Sequence, residues 1–222
     1  MLKAQNTTIY FFPGQGSDKR IFDSLNLDAP YNKVFIEYPM PEKGTSLSGF
    51  AKQLSTQIDT TKPFVLVGVS LGGMICSELN EYMTAEKVII ISSAKNKEEL
   101  PLRYRFQKYV PLYAMMPAHL LHWGAKIMQP LVEPDRNTNE ETFKAMLYEK
   151  DPIYIKRTIG MIMNWDKDTN SKKVYHIHGT SDHTLPYRKL KNVDHTIEKG
   201  SHMMTLTRAE EISVALKQVL EK

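Results

Sequence analysis

Cysteine and long apolar runs are the two features that this sequence most clearly lacks. Cys76 is the only cysteine among 222 residues, which excludes an intramolecular disulfide framework and favours a reducing compartment. No run of residues approaches the length of a membrane-spanning helix, and the N-terminal MLKAQN lacks the apolar stretch of a signal peptide. We therefore expect a cytoplasmic protein.

A strong charge of either sign is also missing. The formal net charge of +4 is too small to indicate a nucleic-acid partner. Hydrophobic residues make up 41% of the chain and charged residues 24%, as is usual for a globular protein. The sequence has no internal repeat or low-complexity tract, and its length predicts one full-sized domain, with or without an insertion.

A serine flanked by spaced glycines lies between a predicted strand and a predicted helix. Residues 68–72 read GVSLG and join the apolar run 63–67 to a helix that begins at about residue 73. In this context G-x-S-x-G is the nucleophile-elbow pattern, in which a sharp turn strains the serine backbone and leaves no room for side chains two positions away. The pattern predicts that Ser70 is a nucleophile, whereas Cys76 is expected to be a packing residue inside the helix.

Short apolar runs recur along the chain and predict the strands of one sheet. They alternate with helical patterns, such as the apolar stripe from Leu47 to Ile58. We therefore expect an α/β fold with a mostly parallel sheet covered by helices on both faces. Thr207 and Glu210 have the spacing of a capping box for the final helix. The six predicted strands are residues 7–12, 33–38, 63–67, 87–91, 174–178 and 193–198.

The alternation is interrupted between the fourth and fifth predicted strands. A parallel crossover needs only about a dozen residues, so most of residues 92–173 is an insertion, which prolines divide into short helices. Asp151 as a cap and Pro152 at the first helical position predict where one of these helices begins. Six methionines of the insertion either form a surface that accepts varied apolar shapes or fill the interior of a helical subdomain. They are Met115, Met116, Met128, Met146, Met161 and Met163.

The first part of the insertion has no acidic residue between Pro101 and Pro130. Its arginines lie opposite an apolar helical face, a pattern that occurs in helices lying on anionic membranes. A solvated helix face is the interpretation we favour, and binding to a membrane surface or an anionic substrate is the weaker one. The basic residues of this segment are Arg103, Arg105, Lys108 and Lys126, with His119 and His122 nearby.

Three predicted strands end in loops that carry a serine, an acid and a histidine. A serine hydroxyl is a weak nucleophile that needs a base, and the base needs a third group to fix its tautomer. Ser70, Asp182 and His202 follow their strands in the order expected for one arrangement of this triad. Because the carboxyl ends of parallel strands meet at one edge of a sheet, the three side chains can converge.

Both the acid and the base have rivals in the sequence. Asp166 and Asp168 could replace Asp182, but neither follows a strand. His178 and His195 fall within predicted strands, and His183 adjoins Asp182 too closely to bridge it to the serine. We therefore favour Asp182 and His202.

Taken together, these motifs resemble the α/β-hydrolase superfamily, in particular its serine esterases and lipases with a helical cap. GVSLGG at 68–73 matches the nucleophile motif, HGTSD at 178–182 is similar to the acid loop, and GSH at 200–202 is similar to the histidine loop. The resemblance implies a core of residues 1–94 and 166–222 and a cap of residues 95–165. A sheet of about six strands is expected, since the two N-terminal strands common in the family have no counterpart.

The loop Pro13-Gly14-Gln15-Gly16 has two interpretations. By itself it is a strand-ending turn, for which proline and glycine are sufficient. The resemblance implies instead an oxyanion loop, in which the backbone N–H groups of Gln15 and Leu71 would hold the negative charge. The family often has a histidine where this chain has Pro13, a departure that removes no catalytic group.

The activity implied is hydrolysis of a carboxylic ester with a small or medium acyl group through an acyl-enzyme, with no metal or organic cofactor. A thioesterase or an acyltransferase would use the same triad, and a non-catalytic binding protein could keep the fold. The expected partner is a small acyl substrate. The cap is expected to determine which one, and its shape cannot be read from the sequence.

Overall fold

The computed structural model of the chain describes residues 7–27, 31–132 and 139–222. Six strands form one sheet in the order β2-β1-β3-β4-β5-β6, and every neighbouring pair is parallel. The predicted α/β class and the predicted number of strands are therefore confirmed. The strands are β1 (Thr8–Phe12), β2 (Asn32–Phe35), β3 (Phe64–Val69), β4 (Lys87–Ile91), β5 (Tyr175–Gly179) and β6 (His195–Ile197).

The second strand is shorter than its apolar pattern predicts. Its last bond to β1 is the one from Ile36 N to Phe11 O, at 2.9 Å. The next residue, Glu37, bonds through its N–H and its carbonyl to the side-chain amide of Gln57, at 3.2 and 2.9 Å. A side chain thus satisfies backbone groups that a longer strand would have used, which periodicity does not reveal.

Helices cover both faces of the sheet, as buried parallel strands require. Successive residues of a strand point to opposite faces. Tyr10 and Phe12 accordingly enter the hydrophobic core under the first two helices, while Ile9 and Phe11 enter the core under the last one. The helices of the two layers are α1 (Leu47–Leu54), α2 (Leu71–Tyr82), α8 (Met204–Thr207) and α9 (Ala209–Glu221).

The insertion between β4 and β5 is helical. Asp151 accepts hydrogen bonds from the N–H groups of Ile153 and Tyr154, and Pro152 is the first residue of the helix that follows, which confirms this predicted start. Residues 95–165 as a separate cap remain a prediction. The helices are α3 (Leu102–Phe106), α4 (Leu112–Met115), α5 (Ala118–Val132), α6 (Glu140–Tyr148) and α7 (Pro152–Met163).

The methionines of the insertion differ in burial. Met146 and Met161 are buried, whereas Met115, Met116 and Met128 are exposed. None of the described helices is both long and apolar enough to cross a membrane.

The predicted capping box of the last helix is wrong. Thr207 ends α8, and Arg208 precedes α9 without a side-chain hydrogen bond to it. The hydroxyl of Thr207 is buried without a hydrogen-bond partner among the described residues. The short extra helix α8 shifts the start of the last helix past the position where the box could form.

Candidate active site

Ser70 lies in a sharp turn between β3 and α2, with φ 52° and ψ −117°. A side chain in this region of backbone space is strained, which persists only where the surroundings enforce it. The two flanking glycines show how the surroundings enforce this strain. A Cβ on Gly68 would lie 2.3 Å from the carbonyl oxygen of Gly72, and a Cβ on Gly72 would lie 2.1 Å from the carbonyl oxygen of Phe12. Only glycine allows the turn to close this tightly and to pack against β1.

The structure brings the three predicted triad residues together. The Oγ atom of Ser70 lies 2.9 Å from Nε2 of His202, and Nδ1 of the same ring lies 2.7 Å from Oδ2 of Asp182. Asp182 and His202 are buried, while Ser70 is partly exposed. The Ser70 hydroxyl is therefore accessible, while the imidazole and the carboxylate are shielded from water.

The carboxylate of Asp182 is held by its own loop. Its Oδ1 atom accepts hydrogen bonds from the backbone N–H groups of Thr184 and Leu185, at 2.8 and 2.7 Å. Burial would raise the pKa of Asp182, but His202 and the neighbouring His178 outweigh it and hold that pKa below its usual value. Asp182 is consequently ionised, and its Oδ2 atom accepts the Nδ1 proton of His202. We infer this tautomer from the contact.

The acid loop and the histidine loop touch where they leave the sheet. A Cβ on Gly179, the last residue of β5, would lie 2.1 Å from the carbonyl oxygen of Gly200. The loops are also joined by a hydrogen bond from Ser181 N to Gly200 O, at 3.0 Å. This close approach brings His202 over the carboxylate of Asp182.

The rival residues occupy other environments. Asp166 and Asp168 are exposed, and Asp168 forms an ion pair with Lys97. His183 is exposed, and its carbonyl accepts a hydrogen bond from Arg103. The exception is His178, which is fully buried with Nε2 only 3.2 Å from Oδ2 of Asp182. Sequence reasoning assigned His178 to a strand and missed this contact.

The loop that follows β1 lies against Ser70. A Cβ on Gly14 would lie 3.3 Å from Cβ of Ser70. The side chain of Gln15 points to α7 and donates to Thr158 Oγ1 at 2.8 Å and to Ile155 O at 3.2 Å. Within the described ranges no protein acceptor binds the backbone N–H of Gln15 or of Leu71. The position of the loop is compatible with the predicted oxyanion role, which remains a prediction.

Comparison with known proteins identifies the fold. No family model and no curated protein matches the chain, but solved structures do. The enol-lactonase from Burkholderia xenovorans LB400 matches with a TM-score of 0.73 at 14% identity, over 100% of this chain and 94% of its own. MenH from S. aureus matches with a TM-score of 0.73 at 14% identity, over 99% and 95% of the two chains. The chain has the α/β-hydrolase fold.

A third match agrees with this assignment. The lipase-esterase related protein from Clostridium acetobutylicum ATCC 824 gives a TM-score of 0.67 at 18% identity, over 96% of this chain and 93% of its own. At such identities the similarity concerns the fold alone. In this fold the ends of β3, β5 and β6 lie at one edge of the sheet, where Ser70, Asp182 and His202 meet.

A cavity of about 320 Å³ opens onto Ser70 and His202. The inserted helices form its upper wall through Tyr104 of α3, Phe143 and Leu147 of α6, and Ile162 of α7. None of the described residues that line it is an aspartate, glutamate, lysine or arginine. The cavity therefore suits an uncharged and largely apolar group.

Metal ligands are not grouped in the described residues: no three His, Cys, Asp or Glu side chains there are placed to hold an ion. Cys76 is buried in α2, and burial raises the pKa of its thiol well above the usual value. An inert, protonated thiol in this position agrees with the packing role expected from the sequence.

Proposed function

We propose that this α/β-hydrolase is a serine hydrolase that cleaves a carboxylic ester through an acyl-enzyme. The observation that carries the proposal is the 2.9 Å contact between Ser70 Oγ and His202 Nε2, with a buried Asp182 on the opposite nitrogen. A hydroxyl in this contact has a base within reach of its proton. The ring cannot turn away easily, because the carboxylate holds its other nitrogen.

The reaction follows from these contacts. His202 Nε2 takes the hydroxyl proton while Ser70 Oγ bonds to the carbonyl carbon, whose oxygen becomes negatively charged. The N–H groups of Gln15 and Leu71 donate to that oxygen and lower the energy of the tetrahedral intermediate. The imidazolium then protonates the departing alcohol oxygen as the carbon–oxygen bond breaks, which leaves acyl-Ser70.

Deacylation repeats these steps with water. His202 takes a proton from a water molecule, whose oxygen attacks the acyl carbon. The intermediate collapses when Ser70 Oγ leaves and receives the proton from the imidazolium, and the carboxylic acid is released. Asp182 stays ionised throughout and stabilises the imidazolium formed in each half-reaction.

The cavity supports a small or medium acyl substrate. A volume of about 320 Å³ is at the lower end of the range of roughly 300–1,000 Å³ for small-molecule sites. Its aromatic and aliphatic wall favours an apolar acyl group, and the absence of charged residues among its described lining disfavours an ionic one. The matched enol-lactonase suggests that lactones belong in a substrate screen.

The first test is labelling with a fluorophosphonate, which reacts with an activated serine whatever the natural substrate. We expect one adduct by intact-mass analysis on the wild type and none on Ser70→Ala. His202→Ala should label far more slowly, because the base is missing. Absence of an adduct on the folded wild type, with an accessible cavity, would refute the proposal and favour a binding role.

A screen of p-nitrophenyl esters, lactones and acyl thioesters, each with and without an added alcohol, tests the substrate class. We expect turnover to fall steeply once the acyl chain exceeds what the cavity holds. Faster cleavage of thioesters, or transfer to the alcohol in place of hydrolysis, would replace the ester hydrolase proposal by a thioesterase or an acyltransferase.

A further inference from the structure

A row of buried polar side chains extends from Asp182 in the direction opposite to Ser70. Its first member, His178, has Nε2 at 2.8 Å from Leu185 O and 3.2 Å from Asp182 Oδ2. The Nδ1 atom of His178 lies 3.1 Å from Nε2 of His176, whose Nδ1 lies 3.4 Å from Nζ of Lys95. Both histidines are completely buried.

The neighbours at each end determine which ring nitrogens carry protons. Nε2 of His178 faces two acceptors, so it must be the protonated nitrogen, and its Nδ1 is then an acceptor. Nε2 of His176 donates to that acceptor, which leaves its own Nδ1 to accept from the ammonium of Lys95. Burial lowers the pKa of His176 well below its usual value, and His178 and Lys95 lower it further, so this ring stays neutral.

Lys95 is fixed in turn. Its ammonium forms an ion pair with Glu99 at 3.3 Å and donates to the carbonyl groups of Lys191 and Asn192, in the loop before β6. The other charged group at the row is Asp194, which accepts the backbone N–H of His176 at 2.9 Å. The N–H donors along the row from Lys95 to His178 therefore all point toward Asp182, which accepts from His202 on its other side.

We propose that His178 and His176 are positioning residues for the catalytic acid: His178 anchors the loop 182–185 through Leu185 O and directs its N–H at Asp182, while His176 fixes the tautomer of His178. This inference rests on the proposed function, because Asp182 has a catalytic acid's role only in that reaction. Histidines that merely filled the core would not need a consistent order of donors, and apolar side chains would fill the same space without a desolvation cost.

His178→Met tests the row, since methionine has a similar volume and no N–H. We expect the second-order rate constant of fluorophosphonate labelling to fall about 10- to 100-fold, the effect of losing one hydrogen bond near a charged group. His178→Gln keeps a donor and should recover much of the rate. Lys95→Met, at the partly exposed end of the row, should also lower the labelling rate constant, but by less than His178→Met.

The pH profile separates positioning from mere support. Without the N–H of His178, Asp182 attracts the His202 imidazolium more strongly, so the acidic limb of the labelling profile should move to higher pH. The low-field proton resonance of the His202–Asp182 hydrogen bond should also shift in the methionine variant. Full labelling with an unchanged limb and an unchanged resonance would overturn the inference and leave the proposed function standing. A wild type that fails to label would overturn the function, while the resonance would still test the row.

A second, independent observation concerns the outer surface of the inserted helices. Of the sixteen large apolar side chains exposed in the described residues, eleven lie between Leu102 and Met128. The most exposed of them are Met115, Tyr109, Leu102 and Trp123, with 82%, 81%, 66% and 60% of their surface exposed. Helices α3, α4 and α5 all pack on α7, so these side chains belong to one layer. The solvated helix face favoured from the sequence does not account for them, because apolar side chains are themselves in water.

The charge of the same layer indicates what covers it. From Pro101 to Val132 the sequence has no acidic residue. Arg105 is paired with Glu98. Arg103 donates to the carbonyl groups of His183 and Thr184 and lies near the ring of Tyr104, so its charge is kept. Lys108 is exposed, and Lys126 lies over the ring of Tyr148. Exposed aromatic and aliphatic side chains with positive charge alone suit an anionic lipid surface, whereas two copies of this layer would repel each other.

We infer that residues 102–128 bind this protein to anionic membranes. In a flotation assay the wild type should float with vesicles of phosphatidylcholine and phosphatidylglycerol and much less with phosphatidylcholine alone. The double variant Tyr109→Ser/Met115→Ser and the variant Lys108→Glu should each float several-fold less. Val214→Ser, which removes a side chain 49% exposed on α9, is the matched control and should float like the wild type.

Three results would overturn this second inference. They are no flotation with anionic vesicles, equal flotation with both vesicles, and a dimer in sedimentation that Tyr109→Ser/Met115→Ser dissociates. The last would show that a second copy of the chain covers the layer.

Discussion

Replacing Ser70 by glycine should leave the protein more stable than replacing it by alanine, although both variants lose the proposed nucleophile. Both remove the hydroxyl and its contact with His202, so that loss cancels in the comparison. What differs is the Cβ atom, which alanine keeps at φ 52° and ψ −117°. A non-glycine residue in such a region costs about 1–3 kcal/mol. Glycine avoids that strain but makes the unfolded chain more flexible, at a cost of about 0.4–1 kcal/mol.

The difference leaves glycine ahead by about 0.5–2 kcal/mol. For a chain of 222 residues, an unfolding entropy of about 2.1 cal/mol/K per residue converts this to a melting temperature about 1–4 °C higher. Urea unfolding followed by circular dichroism gives the free energies, and scanning calorimetry gives the melting temperatures. Equal stability, or a more stable alanine variant, would refute the claim that the elbow strains Ser70.

A helical position provides the matched control. Gln218 is exposed in α9, where Gln218→Gly should be about 1 kcal/mol less stable than Gln218→Ala. The order of glycine and alanine should thus reverse between the two positions. If glycine changed the stability of this protein for a reason unrelated to the local backbone, the change would have the same sign at residues 70 and 218.

Four further results are expected. Asp182→Asn should lower the rate of acylation about 10³- to 10⁴-fold, through loss of the correct His202 tautomer, in stopped-flow assays of an ester substrate. Because the folded pKa of Asp182 is depressed, its ionisation stabilises the fold above about pH 4, and this is lost as the pH falls toward the folded value. The stability gap between wild type and Asp182→Asn should therefore narrow in urea titrations below pH 4, and a constant gap would contradict this. Cys76, with its raised thiol pKa, should react with Ellman's reagent only after unfolding, and rapid reaction of the native protein would contradict its burial. Gly179→Ala should cost more than about 2 kcal/mol, since its Cβ would lie 2.1 Å from Gly200 O, and near-wild-type stability would show that the two loops can separate.

The strands were predictable because a parallel sheet buries them on both faces. Residues 63–67 and 88–91 are continuous apolar runs, and the structure places β3 and β4 at these positions to within two residues. The elbow was predictable for a related reason. The turn at Ser70 excludes side chains at two fixed positions, so the presence of Gly68 and Gly72 in the sequence indicates this turn.

The ends of elements were less predictable, because groups distant in sequence decide them. The amide of Gln57 bonds to Glu37 and ends β2. The short helix α8 follows His202 directly and displaces the start of α9. Neither effect is visible in the hydrophobic periodicity, and the first depends on a contact between residues 20 apart in the sequence.

The sequence by itself determined the strands of the sheet and their order along the chain. It also determined that a serine, an aspartate and a histidine follow three of these strands. Their roles in catalysis stay a prediction. Only the tertiary structure decided that His178 touches Asp182, because that contact needs the acid loop to bend back through the bonds to Thr184 and Leu185. It also decided which apolar residues of the insertion are buried. Periodicity places Met115 and Met146 alike in apolar stretches, but burial depends on which helix packs over each one, and only packing in three dimensions sets that.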